Sequence, residues 1–340
     1  MAVISRDEDF VRLVDRYRPE LLVLCYRMLG SVHDAEDQVQ ETLQRAWRAY
    51  GEFEGRASAR TWLYRIATNA CLRALEQRSR RPLPSGLGGP SDDAEVPLTA
   101  AKEIPWLEPL PDALLGPPLD DPGAVVATRA GIRLALIAAL QYLPPRQRAV
   151  LILRDVLLWR AAEVAELLGT TAIAVNSLLQ RARAQLDEAG LSEDEVAEPS
   201  DPDQRVLLDR YAAAFAEADV AELTRILTED AVAEMPPNVT WFAGRDAILR
   251  FLRAQVLGEP GDILFVPTAG NGQPGFAVYR RDPDGAHRAY SIQLLTLGAA
   301  GIARIVSFRD PALFPSFNLP QVHSGPINRT GLSARGPGRP

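Results

Sequence analysis

DAEDQVQETLQRAW (34–47), RAYGEFEGRASAR (48–60) and TWLYRIATNACLRALEQRSRR (61–81) follow one another as an acidic helix, a polar loop and a basic helix. In the first, Ala35, Val39, Thr42, Leu43, Ala46 and Trp47 recur at three- and four-residue intervals and predict one apolar face, with Asp34, Glu36, Asp37 and Glu41 outside it. Glu52, Gly55, Ala57 and Ser58 interrupt the period, and Ser58 or Thr61 can cap the next helix. Trp62, Leu63, Ile66, Ala67, Ala70 and Cys71 then set its buried stripe. From Arg45 to Arg81 nine arginines stand against three glutamates, in a chain whose formal net charge is −7. Such a patch attracts phosphate through counterion release. A solvated helix with arginines at its end has the same composition, so charge alone does not decide between the two.

The 340 residues allow two or three domains, each large enough to bury a core. Hydrophobic residues at 47% and charged residues at 24% describe an ordinary soluble chain. Cys25 and Cys71 fall on apolar helix faces without metal-ligand spacing and read as small core hydrophobes in a reducing compartment. The opening MAVISRDEDF lacks an apolar signal core, and no later segment keeps about eighteen uncharged apolar residues in a row. The expectation is a cytoplasmic protein with no membrane partner.

Outward from the quoted stretch, residues 5–30 predict one long helix, or two joined near Pro19, which completes a helical domain over 5–81. Residues 82–123 lose all period, crowd prolines and glycines together and carry eight acids against Lys102. They predict a tether without a packed fold of its own. Helical period returns over 124–190, where WRAAEVAELLG and TTAIAVNSLLQRARAQL meet at Gly169 as a helix-turn-helix. Ala162, Val164, Ala165, Leu167 and Leu168 are expected to pack its first helix, and Ile173, Val175, Leu178, Leu179 and Ala182 its second. The other face of the second helix presents Thr171, Ala172, Ala174, Asn176, Ser177, Gln180, Arg181 and Arg183. Small residues admit a major groove, Asn and Gln suit adenine edges, and Arg suits guanine or phosphate.

An acidic, proline-punctuated linker over 191–203 precedes helices and then strand-like runs over 204–322, an α+β pattern. Three strand-like runs are expected between Gly261 and Pro311, with turns at Asn271-Gly272 and Asp284-Gly285. The tail 323–340 lacks hydrophobic period and is expected to be disordered.

The motif DAEDQVQETLQRAW followed by TWLYRIATNACLRAL resembles region two of bacterial sigma factors of the extracytoplasmic-function type, and LPPRQRAVLILRDV with VNSLLQRARAQL resembles their region four. The order, with FAGRDAI and IVSFRDPALFPSFNLP, is similar to that of sigma factors carrying a SnoaL-like cone behind region four. The resemblance implies two all-α domains followed by an α+β cone, acting on core RNA polymerase and promoter DNA. By position it implies that Asp34, Glu36, Asp37, Gln40 and Glu41 face polymerase. It implies that Phe53, Arg56, Ser58, Arg60, Thr61, Arg65, Asn69 and Arg73 lie on or near the minus-ten element, and that the second helix of the helix-turn-helix reads the minus-thirty-five element. No cofactor, metal or nucleotide of its own is called for, because polymerase performs the phosphoryl transfer.

Folds of this cone type also include isomerases that pair a carboxylate with hydroxyl donors. Tyr211, Glu234, Asp246, Tyr279, His287 and Tyr290 are the candidates for such chemistry, with His287 expected to be exposed. Nothing in the sequence brings two of them into one cavity, and the expectation is a regulatory domain rather than an enzyme, with a small apolar ligand in its cone. Two other readings remain open at this point. A polymerase-independent helix-turn-helix regulator leaves 34–81 without a role, and a pocket enzyme requires a catalytic pair.

Overall fold

The computed structural model describes residues 6–53, 58–76, 79–116, 131–188 and 201–323. Arg56, the stretch 191–200 and the tail beyond His323 lie outside the described residues. Helix α1 (Arg6–Leu29) runs unbroken through Pro19. Gly30 ends it in the left-handed region at φ +69°, its N–H donating to Tyr26 O at 2.8 Å. Ser31 caps α2 (Val32–Ala49) by accepting from Asp34 N, and Val32, Ala35, Val39, Thr42 and Ala46 form the buried face. Trp47, expected inside, is 42% exposed and meets Phe10 edge-on at 5.0 Å. That ring covers only part of the indole at the helix end. Ser58 caps α3 (Ala59–Leu75), whose Leu63, Ala67, Ala70 and Cys71 complete the bundle core.

The second helical unit contains α4 (Leu134–Leu140), α5 (Pro145–Leu151) with a following π turn (Ile152–Val156), α6 (Ala161–Leu168) and α7 (Ala172–Glu188). Gly169 adopts φ +61° between α6 and α7, which meet at 100°. Val164, Ala165 and Leu167 pack against Val175, Leu179 and Ala182, as the spacing requires. Two expectations fail: Ala162 is exposed, with Ala161 packing in its place, and Ile173 is 79% exposed. Ile173 lies nine residues before Ala182 and two before Val175, which at about 100° per residue places it on the side of α7 opposite the buried stripe.

The third unit has α8 (Asp201–Ala216), α9 (Val220–Ile226), β1 (Leu227–Glu234), β2 (Trp241–Ala243) and α10 (Arg245–Phe251). Strands β3 (Ile263–Gly270), β4 (Gln273–Arg281), β5 (His287–Gly298), β6 (Gly301–Phe308) and β7 (Val322–His323) follow. The sheet order is β2-β1-β6-β5-β4-β3, with β7 paired to β5 and only β1 parallel to its neighbour β6 among the described pairs. Four strands, not three, fill the segment from Gly261 to Pro311, because the last run divides at Gly301. A Cβ there would lie 2.3 Å from Ile226 O, so only glycine fits the turn.

The two sheet faces bury different things. The inner face, roofed by α8, α9 and α10, holds Tyr211, Phe215, Phe242, Phe276, Leu295 and Leu297. Ala277, Tyr279, Ile292, Leu294, Val306 and Phe308 on the outer face join one continuous core with Leu24, Leu63, Leu140 and Leu153 of the helical units. Residues 82–116, the described part of the segment expected to be a free tether, form a strap between these bodies. It has no regular structure of its own beyond short 3-10 turns, yet Leu83, Trp106, Leu107 and Leu110 are buried and its backbone bridges to the third unit at Ala100–Asn238 and Pro111–Gly270. Scattered apolar residues give no period in sequence, but each one finds a neighbour from another segment.

Candidate nucleic-acid interface

On α2, Asp37 and Gln40 are exposed and Glu36 half-buried along the outer face, while Glu41 pairs with Arg45 at 2.5 Å. Asp34 departs from this set. Its side chain is 14% exposed and bound to Arg81 at 2.5 Å, and Arg81 also donates to Trp106 O at 2.7 Å in the strap. The same corner receives Glu108, which accepts from Ser31 Oγ at 2.6 Å and lies 3.0 Å from His33 Nδ1. The start of α2 is therefore covered by the strap, and its acidic surface begins one turn later.

Around the 53–61 loop, Phe53 packs on Trp62 with ring centroids 4.8 Å apart, and Ser58 Oγ accepts from Thr61 N at 3.1 Å. Ser58 and Thr61 thus shape the loop end, with their hydroxyls 2.9 Å from each other. Arg60 donates to Glu20 Oε2 at 2.7 Å and lies over the Tyr64 ring, with Trp159 of the second unit behind it. Arg65, Asn69 and Arg73 line one groove of about 740 Å³ together with Arg45 and with Arg146 of the second unit. Its apolar wall includes Trp62, and among the described residues Glu76 is the one acid lining it. Of the four guanidinium groups, Arg45 is paired with Glu41 and Arg65 with Glu166, so the positive surplus of the groove rests on Arg73 and Arg146 against Glu76.

The recognition-type face of α7 is open. Thr171, Asn176, Ser177, Gln180 and Arg181 are exposed and Ala174 half-buried. Thr171 Oγ1 accepts from Ala174 N at 3.2 Å, so it holds the helix start. Arg183 differs in forming a two-bond pair with Asp155, at 2.9 and 2.7 Å, which raises its pKa and turns it toward the π turn.

The basic groove on α3 and the helix-turn-helix touch each other through α6. Arg65 donates to both the backbone O and Oε1 of Glu166 on α6, each at 3.3 Å. Two buried arginines hold the units together from beneath: Arg27 Nε donates to Gly131 O at 2.8 Å, and Arg148 donates to Met28 O and to Gln141 Oε1. Burial lowers the pKa of each to about 10. Sequence reasoning missed both residues. The available signal was an arginine inside each of the apolar runs LLVLCYRML and RAVLILR.

A further tie comes from the third unit. Asn271, at the β3–β4 turn, is fully buried with φ +56°. Its Nδ2 donates to Tyr26 Oη at 2.8 Å and Ile132 O at 2.6 Å, while its Oδ1 accepts from Leu110 N at 2.8 Å. Its own N–H donates to Leu110 O at 2.8 Å, and Gly272 N donates to Asp112 Oδ1. One hairpin tip thus joins the first helical unit, the strap and the second helical unit. Burial pushes the Tyr26 phenol far above its ordinary pKa, which keeps it neutral, and it donates onward to Glu108 O at 2.8 Å.

The candidates for chemistry in the third unit do not converge. Tyr211 lies on the inner face and donates to Gln293 at 3.0 Å, whereas Glu234 faces outward, bound to Arg304 at 2.6 Å and accepting from Ser85 N in the strap at 2.9 Å. Asp246 is on the surface, and Tyr279 is on the outer face, donating to Pro320 O. His287, expected to be exposed, is buried at the start of β5 with a ring nitrogen 3.0 Å from Gly261 O, because the 261 turn folds over it. Tyr290 lies beneath Arg280 and Arg309. The expected apolar ligand is not supported either. Tyr211, Phe215, Phe265 and Phe276 pack with centroids 4.9–5.9 Å apart where such a ligand would sit, and Leu98 of the strap packs against the same cluster.

Residues 13–81 match the family described as Sigma-70 region 2, residues 133–186 match Sigma-70 region 4, and residues 208–293 match the SnoaL-like domain. The chain is 50% identical over 318 residues to the ECF RNA polymerase sigma factor SigG of Mycobacterium tuberculosis, covering 93% of this chain and 85% of that protein. It is 30% identical over 246 residues to SigJ of the same organism, covering 69% of each. The crystal structure of SigJ superposes with a TM-score of 0.61 at 24% identity, covering 91% of this chain and 100% of that one. This last likeness concerns the fold.

Proposed function

The chain belongs to the extracytoplasmic-function RNA polymerase sigma factors, and from that premise we propose that it docks on core polymerase through the outer face of α2 and reads a promoter at two places. Sigma factors work by binding, and the chemistry of RNA synthesis stays with polymerase. Glu36, Asp37, Gln40 and Glu41 form the docking face, with Asp34 left to the strap. Arg65, Asn69 and Arg73 hold unpaired minus-ten bases and their phosphates in the basic groove, beside the Phe53–Trp62 pair. Asn176, Gln180 and Arg181 read the minus-thirty-five duplex from α7, and Ser177 lies among them.

The observation that carries this reading is the separation of charge on the first bundle: Glu36, Asp37 and Glu41 along the outer face of α2, and a groove lined by Arg65 and Arg73 of α3. The experiment is promoter-dependent transcription with purified core polymerase, followed by start-site mapping. Asp37→Arg with Glu41→Arg is expected to weaken core binding at least ten-fold with the fold intact. Undiminished binding would move the docking face elsewhere.

The arrangement described here is a resting form. Elements centred at minus ten and minus thirty-five lie about 25 base pairs apart, roughly 85 Å of duplex at 3.4 Å per pair. Arg65 of the first reading surface meanwhile touches Glu166 on α6, the helix that supports the second. Promoter binding therefore requires the helical units to separate. The third unit opposes that separation through Asn271, which makes it a regulator acting within the same chain. Deleting 204–340 and comparing transcript yield tests this, and unchanged yield with and without cell extract overturns it.

A further inference from the structure

Ile173 is the large apolar side chain that α7 turns to solvent, and it does so in the first turn, where a recognition helix meets base edges. It has no part in starting the helix, because Thr171 supplies the cap. Nor does it pack the helix-turn-helix, whose core is made by Val175, Leu179 and Ala182. One turn further along the same open face stand Asn176 and Ser177, and two turns further Gln180 and Arg181. The Ser177 hydroxyl donates back to Ile173 O at 3.0 Å, so its proton is directed to the helix backbone and away from the surface. The polar readers of α7 are therefore joined by one exposed branched hydrocarbon.

In the major groove, the C5-methyl of thymine is the apolar feature on the edge of a base pair, and an apolar side chain is its complement. Resting on the reading of α7 given above, we infer that Ile173 packs on the methyl group of one thymine in the upstream promoter element. This gives the helix a specificity determinant that hydrogen-bonding side chains do not provide. The contact discriminates thymine from cytosine and, chemically identical but for the methyl, from uracil. It adds apolar area to a surface otherwise reliant on hydrogen bonds and charge.

The test uses holoenzyme assembled from core polymerase and the full chain on a promoter defined by start-site mapping. Thymines of the upstream element, on both strands, are replaced one at a time by deoxyuridine. Wild-type holoenzyme is expected to bind roughly four-fold more weakly at one position, the effect of withdrawing one buried methyl. Ile173→Ala is expected to weaken the unmodified promoter by a similar factor and to become indifferent to deoxyuridine at that position, while Ile173→Val keeps the sensitivity. Losses that multiply in the double change, or the absence of any methyl-sensitive position, overturn the inference. So does an Ile173→Ala defect that is equal on templates lacking the upstream element, since Ile173 would then be touching polymerase. If wild-type holoenzyme ignores the upstream element altogether, the assignment of α7 itself falls, a result distinct from loss of methyl sensitivity alone.

Discussion

The inner and outer faces of the third unit's sheet have the same architecture beneath them and opposite uses. The inner face closes on itself, with Tyr211, Phe215, Phe265 and Phe276 packed ring to ring under α8. The outer face and the β3–β4 tip look outward to the rest of the chain, where Tyr279, Leu294 and Phe308 continue the helical core and Asn271 bonds to three separate segments. The face expected to hold a ligand is filled by its own rings, and the opposite face packs on the helical units. Fold and use have come apart, and only the side chains on each face tell which use applies.

The largest expected effect strikes the inner face. Phe276→Ala should cost about 3–5 kcal/mol of stability in denaturant unfolding, while the surviving native molecules keep their dimensions in small-angle scattering. The cavity so created should take up a small apolar molecule; an inner face that already binds such a molecule in the wild type would break the contrast. Next is the fastening. Asn271→Asp keeps the acceptor for Leu110 but sets a carboxylate oxygen against Ile132 O and Tyr26, and should weaken closure by about 2–3 kcal/mol. The radius of gyration and transcript yield should both rise, and a compact, unchanged molecule would show that the hairpin tip is passive. Smallest is Glu166→Ala, which removes an exposed ion pair with Arg65 worth at most about 1 kcal/mol. It should leave scattering nearly unchanged, sharpening the conclusion that buried polar bonds, not surface charge, keep the molecule shut.

Much of this was legible in the sequence where local rules govern. The period of α2 and α3, the Ser58 cap, the Gly169 turn and the Asn271-Gly272 hairpin all follow from residues within one or two turns of each other. What escaped depends on distant partners. The strap has no period because its order comes from Gly30, Asn238 and Asn271, far away in sequence. Asp34 reads as a free acid until Arg81 is brought beside it, and Glu234 reads as a cavity carboxylate until strand register turns it outward to Arg304. Trp47 and Ile173 fail in the other direction: Trp47 sits at a helix end where little remains to cover it, and Ile173 is apolar on the side of α7 opposite its buried stripe.

The clasp between Leu110 and Asn271 joins residues 161 positions apart. At ribosomal speeds of about 5–20 residues per second, the strap emerges roughly 8 to 32 seconds before the hairpin that will secure it. Each newly made molecule thus passes through an interval in which both helical units have been synthesised and the hairpin that ties them has not.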